Sequence, residues 1–386
     1  MSELQMIKPC WGGGRNYAID LLRILSMFMI VMLHSGTHGG TLFIGEGLNP
    51  YSIWFHYVEA LSICSVDVFV LISGYFLCTQ KFKPSRILKM VFVVIFYSVA
   101  WLLITAYVFH EPIALKDIVR AILPISYHQY WFISCYVGMY LFSPMLNVLV
   151  KNLSQKQHLG SIILLVLVFS VWPDLLPYSS PLGVSDKGYT VAWFIVLYII
   201  AAYFRKYPVK MKPSKAFRNY VLSAFLLLMV WLVIAIVSGA DSFVDEWHGH
   251  LTFYFYRYNS FLVLLTAVFL WLVFVNIKIE SLVIQKTISL VAPLTMGVYL
   301  IHDNESARSF VWHGLQEMEP TIAAPFIAIG YVIIVFVVCL IIDQIRSLLF
   351  SLVNRRNWYK IIMKEVDAIP SRINNFIYKK SLTINY

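Results

Sequence analysis

Ten apolar runs constrain this chain more than any other feature of its sequence. They cover approximately residues 17–35, 53–78, 87–109, 130–150, 158–172, 190–204, 219–239, 253–276, 288–302 and 322–350 of the 386. Most of them approach the roughly 20 residues that carry a helix across a hydrocarbon core. Stretches such as AFLLLMVWLVIAIV do not alternate, which excludes the alternating segments of about ten residues that build an outer-membrane barrel. Composition agrees, with 60% apolar and 13% charged residues against roughly 45–50% and about 25% in soluble domains. The expected fold class is an all-α polytopic integral membrane protein of about ten transmembrane helices. Collagen-like, disordered and disulfide-framework classes are excluded, because the 18 Gly and 15 Pro are modest and the five cysteines are scattered. Cys64, Cys78, Cys135 and Cys339 lie within apolar runs and Cys10 precedes the first. None has metal-type or redox-type spacing, so no metal is expected.

Lys and Arg collect in cytoplasmic loops of membrane proteins, and that bias sets the orientation. With the N-terminus inside, 24 of the 30 Lys and Arg fall on the inner side, among them Lys8, Arg15, Lys81, Lys83, Arg86 and Lys89. Only Lys116, Arg120, Lys187 and Arg308 fall outside, while Arg23 and Arg257 lie within spans. An even span count with both termini cytoplasmic is expected. The net charge of +10 is then inner-face charge, and no nucleic-acid partner is expected. The segment MSELQMIKPCWGGGRNYAID has neither a short apolar core nor a small-residue cleavage site, so the first run is expected to be a retained span. Residues 351–386 read as a basic cytoplasmic tail, NRRNWYKIIMKEVDAIPSRINNFIYKK, suited to the inner headgroup layer or to anchoring topology.

An ionisable group inside a span costs at least a few kcal/mol, so each one needs a partner or a task. The first run, YAIDLLRILSMFMIVMLHSG, holds Asp20, Arg23 and His34. Eleven residues at about 100° each bring Arg23 and His34 within about 20° of one another, roughly 16 Å apart along the axis. Asp20 shares that face one turn earlier, as an ion-pair partner for Arg23 or as a functional acid. The second run, HYVEALSICSVDVFVLISGYF, places His56, Glu59, Asp67 and Gly74 near one face if it forms one continuous helix. Trp131 stands at the outer mouth of the fourth run, by default as an interface anchor. Arg257 enters the eighth run, where it either snorkels or pairs with Asp67. In PLTMGVYLIHD the residues Thr295, Tyr299 and His302 share a face.

These residues resemble a known family, the bacterial transmembrane or type-three acyltransferases. Four stretches carry the resemblance. DLLRILSMFMIVMLH matches a pattern of a basic residue, ten others and a histidine; DVFVLISGYFL resembles an aromatic Ser-Gly-Tyr stretch and is followed by KFKPSRILK, similar to an Arg-x-x-Arg pattern with Lys83 in the first place. YWFISCYVGMYLFSP and TMGVYLIH resemble the family's Trp-Phe and Tyr-Leu-x-His blocks.

The resemblance implies an O-acyltransferase domain over residues 1–350. It would move an acyl group, usually acetyl, from cytoplasmic acyl-coenzyme A to a hydroxyl of a cell-surface polysaccharide or its lipid-linked precursor. It also implies a bacterial inner-membrane location. Acetyl-CoA is then a co-substrate and no permanently bound cofactor is expected; membrane lipids and the glycan acceptor are the other partners. His34 is the candidate general base, with an acyl-histidine as the alternative, since imidazole titrates near neutral pH. Arg23, Lys83 and Arg86 are candidates for the coenzyme A phosphates, and Arg23 also for the developing oxyanion. Glu59 or Asp20 would orient or charge-balance these groups, and His302 is a further catalytic candidate. Trp131, Asp67, Tyr299 and Arg257 are the candidate substrate-binding residues. Without an appended hydrolase-like domain, the membrane body is expected to acylate its acceptor directly. The rival readings are a proton-coupled transporter, for which no internal span repeat is seen, and a polysaccharide polymerase or assembly protein.

Overall fold

Helix starts in this chain are marked by capping side chains and prolines that satisfy or dispense with the first free backbone N–H groups. The computed structural model describes residues 15–45, 47–176, 186–238 and 254–383, with backbone alone for 186, 238 and 373–383. Lys8 and Cys10 lie outside the described residues. Asn16 caps α1 (Tyr17–Thr37) by accepting from the Ile19 N–H. Asn49 and Ser52 form a capping box on α2 (Pro50–Ser62), which begins with proline and is followed by α3 (Ser65–Leu77). Pro84 opens α4 (Pro84–Tyr107), which the short α5 (Leu115–Ile122) and α6 (Trp131–Asn152) follow.

Ser154 caps α7 (Gln155–Leu175), which carries a π-helical segment over Leu167–Val171, and Thr190 caps α8 (Val191–Lys206). Next come α9 (Pro213–Ser238), α10 (Phe261–Val275), α11 (Leu282–Val291) and α12 (Thr295–His302). Pro293 separates the last two, since a proline removes a helical hydrogen bond and crowds the preceding turn. The chain continues through α13 (Glu305–Gln316), α14 (Ala324–Asn354) and α15 (Asn357–Thr383). No strand occurs among the described residues.

Among the described residues, eight segments are long and apolar enough to cross a membrane: α1, α2 with α3, α4, α6, α7, α9, α11 with α12, and α14. Two of the ten expected runs form something shorter. The run at 190–204 is α8, 16 residues long and mostly buried. The run at 253–276 yields only the 15 residues of α10, because residues 254–260 are turn and bend. On the outer helices large apolar side chains face outward, as with Leu141 and Met145 of α6 and Ile334 and Ile341 of α14. Lipid is the solvent in which such surfaces are stable. The chain is an all-α polytopic membrane protein.

The second run is not one continuous helix. A turn at Ile63 and Cys64 separates α2 from α3, so the expected shared face of His56, Glu59, Asp67 and Gly74 divides in two. His56 stacks on Trp231 of α9, with ring centroids 3.8 Å apart. Asp67 and Gly74, seven residues apart, both turn to α8. A Cβ on Gly74 would stand 2.9 Å from the Ala201 Cβ, so the missing side chain lets α3 and α8 approach closely.

At the centre, α1 packs against α2, α3, α10, α11, α12 and α14. The tail helix α15 docks on α4: the Asp367 carboxylate accepts from the Ser85 N–H at 3.0 Å and from Ser85 Oγ at 2.9 Å. An acid at that helix start meets the positive end of the helix dipole. Lys379 and Lys380 belong to the part of the tail described only as backbone.

Candidate active site

The helical period of α1 sets up the site. Arg23 and His34 share a face, and both line a cavity of about 420 Å³ enclosed by α1, α3, α4, α6, the 254–260 segment and the α11–α12 junction. One end carries Arg23, Arg86, Tyr136 and Tyr140, and the other His34, Trp131, Tyr258 and Tyr299. Asp20 holds Arg23 by an ion pair of 2.8 Å and also binds Arg15 at 2.5 Å. It does not line the cavity and acts on the site only through Arg23.

Hydrogen-bond chemistry defines the state of His34. Its Nδ1 lies 2.9 Å from Nε2 of His302, and Nδ1 of His302 lies 2.5 Å from the Val298 carbonyl oxygen. A carbonyl only accepts, so His302 donates from Nδ1 and its neutral ring accepts at Nε2. His34 therefore donates from Nδ1, and its Nε2 keeps the free lone pair of a base or nucleophile. Asp303 stands behind the pair, with Oδ1 3.6 Å from His34 Nδ1, 3.2 Å from His38 Nε2 and 2.9 Å from Arg308 Nη2. Burial alone would push the Asp303 carboxyl up, but the hydrogen bond from His38 and the Arg308 guanidinium hold it well below the usual carboxylate range. It is a fixed negative charge close to the ring that gains a proton during general-base catalysis.

Ligand atoms of His34, His38 and Asp303 lie within 4.8 Å of one another, a spacing that could hold a divalent cation. Arg308 already supplies positive charge to the same carboxylate oxygen. The sequence reading missed Asp303, His38 and Arg308. The signal available was the dipeptide His302-Asp303 and a second histidine one turn beyond His34.

The aromatic end of the cavity is tied to this cluster. Trp131 stacks on Tyr258 with ring centroids 5.4 Å apart. Its neighbour Tyr130 donates to the Leu300 carbonyl at 3.0 Å and accepts from Asn304 Nδ2 at 2.7 Å. Tyr299 lines the cavity beside His34, with its hydroxyl buried.

Other expected site residues stand elsewhere. Lys83 is exposed, and its backbone N–H and carbonyl engage the Tyr140 hydroxyl, each at 3.1 Å, while its side chain does not line the cavity. Asp67 accepts from Trp193 Nε1 at 3.0 Å in the protein interior, so it is a helix-packing contact rather than a cavity group. Glu59 is buried close to Gly36, where a Cβ would lie 3.2 Å from Oε2, and it too lies outside the cavity. Arg257 pairs with Asp174 at 3.1 Å, not with Asp67, and lies over the Tyr254 ring at 3.8 Å. Asp174 also accepts from the Ser260 hydroxyl and the Phe261 N–H, so this ion pair fastens the start of α10 to the end of α7.

A basic cavity mouth joined to a lone-pair histidine is the layout of a group-transfer site. The model of the family described as "Acyltransferase domain" matches residues 16–344. The chain belongs to the type-three acyltransferases. This membrane acyltransferase carries its matched domain from the capping residue of α1 to within the last long span. No curated protein and no solved structure gives a match.

Proposed function

We propose that this acyltransferase moves an acyl group, acetyl in the first instance, from acyl-coenzyme A to a hydroxyl of a cell-surface polysaccharide or its lipid-linked precursor in a bacterial inner membrane. One observation carries the reading: a single cavity connects Arg23 and Arg86 with His34. Its volume of about 420 Å³ lies within the range of roughly 300–1,000 Å³ typical of small-molecule pockets. The pantetheine arm and acyl group enter it, and the coenzyme A phosphates stay at the guanidinium groups of Arg86 and Arg23. The Arg86 end faces the cytoplasm, in line with the Lys and Arg bias, and the tail helix lies on that side.

Chemistry follows from the tautomer. The acceptor oxygen attacks the thioester carbonyl while its proton passes to Nε2 of His34, and Asp303 stabilises the imidazolium that forms. The Tyr299 hydroxyl donates to the tetrahedral oxyanion. Collapse breaks the carbon–sulfur bond, and His34 returns the proton to the thiolate, giving the ester and free coenzyme A. Trp131 and Tyr258 exclude water that would otherwise hydrolyse the thioester.

The test is mass spectrometry of surface glycan from cells carrying the native chain, no chain, or His34→Ala. The native chain is expected to add the mass of one acyl unit per modified sugar, and His34→Ala is expected to add none while still being inserted. An acylated glycan in that variant removes His34 from the mechanism.

A further inference from the structure

A groove of about 460 Å³ lies between α4, α14 and the first turns of α15. Its walls include Lys89 and Phe92 of α4, Ser347 and Phe350 of α14, and Trp358 and Ile362 of α15. Because α4 turns Arg86, Ile87 and Met90 to the active-site cavity, it separates that cavity from the groove. The groove lies at the end of the membrane body where α4 begins and α14 ends, the end at which Lys and Arg collect. Phe92 and Ile362 are each 45% exposed and Trp358 is 56% exposed, so the slot is apolar and open to its surroundings. A tryptophan at such a rim belongs to the boundary between hydrocarbon and headgroups.

The charges around the slot are of one sign. Lys89 is exposed, and its side chain makes no ion pair or hydrogen bond among the described residues. Arg355 and Arg356, in the turn into α15, and Lys360 and Lys364, along it, are exposed and unpaired in the same sense. The three helices carry three acids, and all are engaged: Asp343 by Arg346, Glu365 by Arg372 and Asp367 by Ser85. The start of the 27-residue α15 adds the positive end of its dipole at the same place. An apolar slot beneath an uncompensated cationic rim complements a molecule that carries an acyl chain beneath a phosphate, and basic pockets between spans recognise anionic headgroups in this way. A zwitterionic headgroup brings its own ammonium to these cations and gains less.

We infer that this groove binds one anionic phospholipid of the inner leaflet, with its phosphate at Lys89 and the first turn of α15 and an acyl chain along Phe92, Phe350 and Ile362. The lipid bridges α4, α14 and α15 beside the Ser85–Asp367 contact and takes no part in acyl transfer.

The full-length protein in a neutral detergent tests it by native mass spectrometry, titrated with dioleoyl phosphatidylglycerol or dioleoyl phosphatidylcholine. The native chain is expected to retain one phosphatidylglycerol about fivefold or more tighter than phosphatidylcholine, since each interfacial cation contributes about a fivefold preference for an anionic lipid. Lys89→Gln is expected to weaken phosphatidylglycerol by about fivefold, and Ser347→Trp, which fills the groove from α14, to abolish the preference. Lys156→Gln, at an exposed lysine in the first turn of α7, is expected to bind as the native chain does. Melting curves without lipid show whether each variant folds, and Lys89→Gln, at an exposed position, keeps the test if Ser347→Trp does not. Equal retention of the two lipids by the native chain, an unchanged phosphatidylglycerol affinity in Lys89→Gln, or an equal loss in Lys156→Gln overturns the site. A rise in melting temperature with glycerol 1-phosphate as large as that with phosphatidylglycerol also overturns it, because the cations would then be a site for a soluble phosphate.

Discussion

The Nδ1 atom of His34 lies 2.9 Å from the Nε2 atom of His302, across 268 residues of sequence. Because His302 is itself fixed by the Val298 carbonyl, it selects which nitrogen of His34 carries the lone pair. His302→Ala frees the ring to adopt the other tautomer. The expected result is a fall in kcat on the order of 10²- to 10⁴-fold, the range seen when a base loses its orienting partner. Steady-state kinetics check it, and donor KM should change little.

Arg86 and Lys83 are separated by one turn of backbone yet differ in role. Arg86 lines the cavity and Lys83 does not. Arg86→Ala is expected to raise KM for acetyl-CoA by about tenfold or more, the loss of a charge-assisted phosphate contact, with kcat largely kept. Lys83→Ala is expected to change KM less than about threefold, as an exposed charge far from a partner does. Equal effects in the two variants would place the phosphates outside the cavity mouth.

At Gly297 the backbone of α12 lies against Asp343 of α14. A Cβ there would stand 1.9 Å from Asp343 Oδ1 and 2.5 Å from its Cβ. Asp343 cannot yield, since it is fully buried, doubly bonded to Arg346 and hydrogen bonded by Tyr97. Gly297→Ala is expected to destabilise by about 1–3 kcal/mol, as overpacking does. Melting temperature and yield of the solubilised protein measure it, and an unaltered melting curve would contradict this packing.

Asp303 gives the fold a defined acid limit. Its carboxyl is held below the usual range in the folded state, so ionisation stabilises the fold. That contribution is complete above the unfolded value of about 3.9 and is lost as pH falls through the lower folded value. The gap in melting temperature between the native chain and Asp303→Asn is therefore expected to be constant from about pH 7 to pH 5 and to narrow only below about pH 4. A gap that closes between pH 7 and pH 5 would show that Asp303 is not held ionised by its neighbours.

Periodicity and the cost of buried charge made the all-α membrane body and the Arg23–His34 stripe readable from residues alone, and four short motifs carried the resemblance to the family. These are local properties: one helix brings residues 11 positions apart onto one face whatever surrounds it. The turn at Ile63 and Cys64 was not readable, since a run that is apolar throughout carries no mark of where a helix restarts. The pairing of Arg257 with Asp174, and the meeting of His34 and His38 with His302, Asp303 and Arg308, were also set by packing. Each joins residues at least 83 positions apart, brought together by how α1, α7, α10 and α12 lie against their neighbours. The sequence by itself determined that a histidine and an arginine would face one path through the membrane. Only the tertiary structure decided which groups give that histidine its lone pair, because the partner of a buried polar atom is chosen by proximity in space.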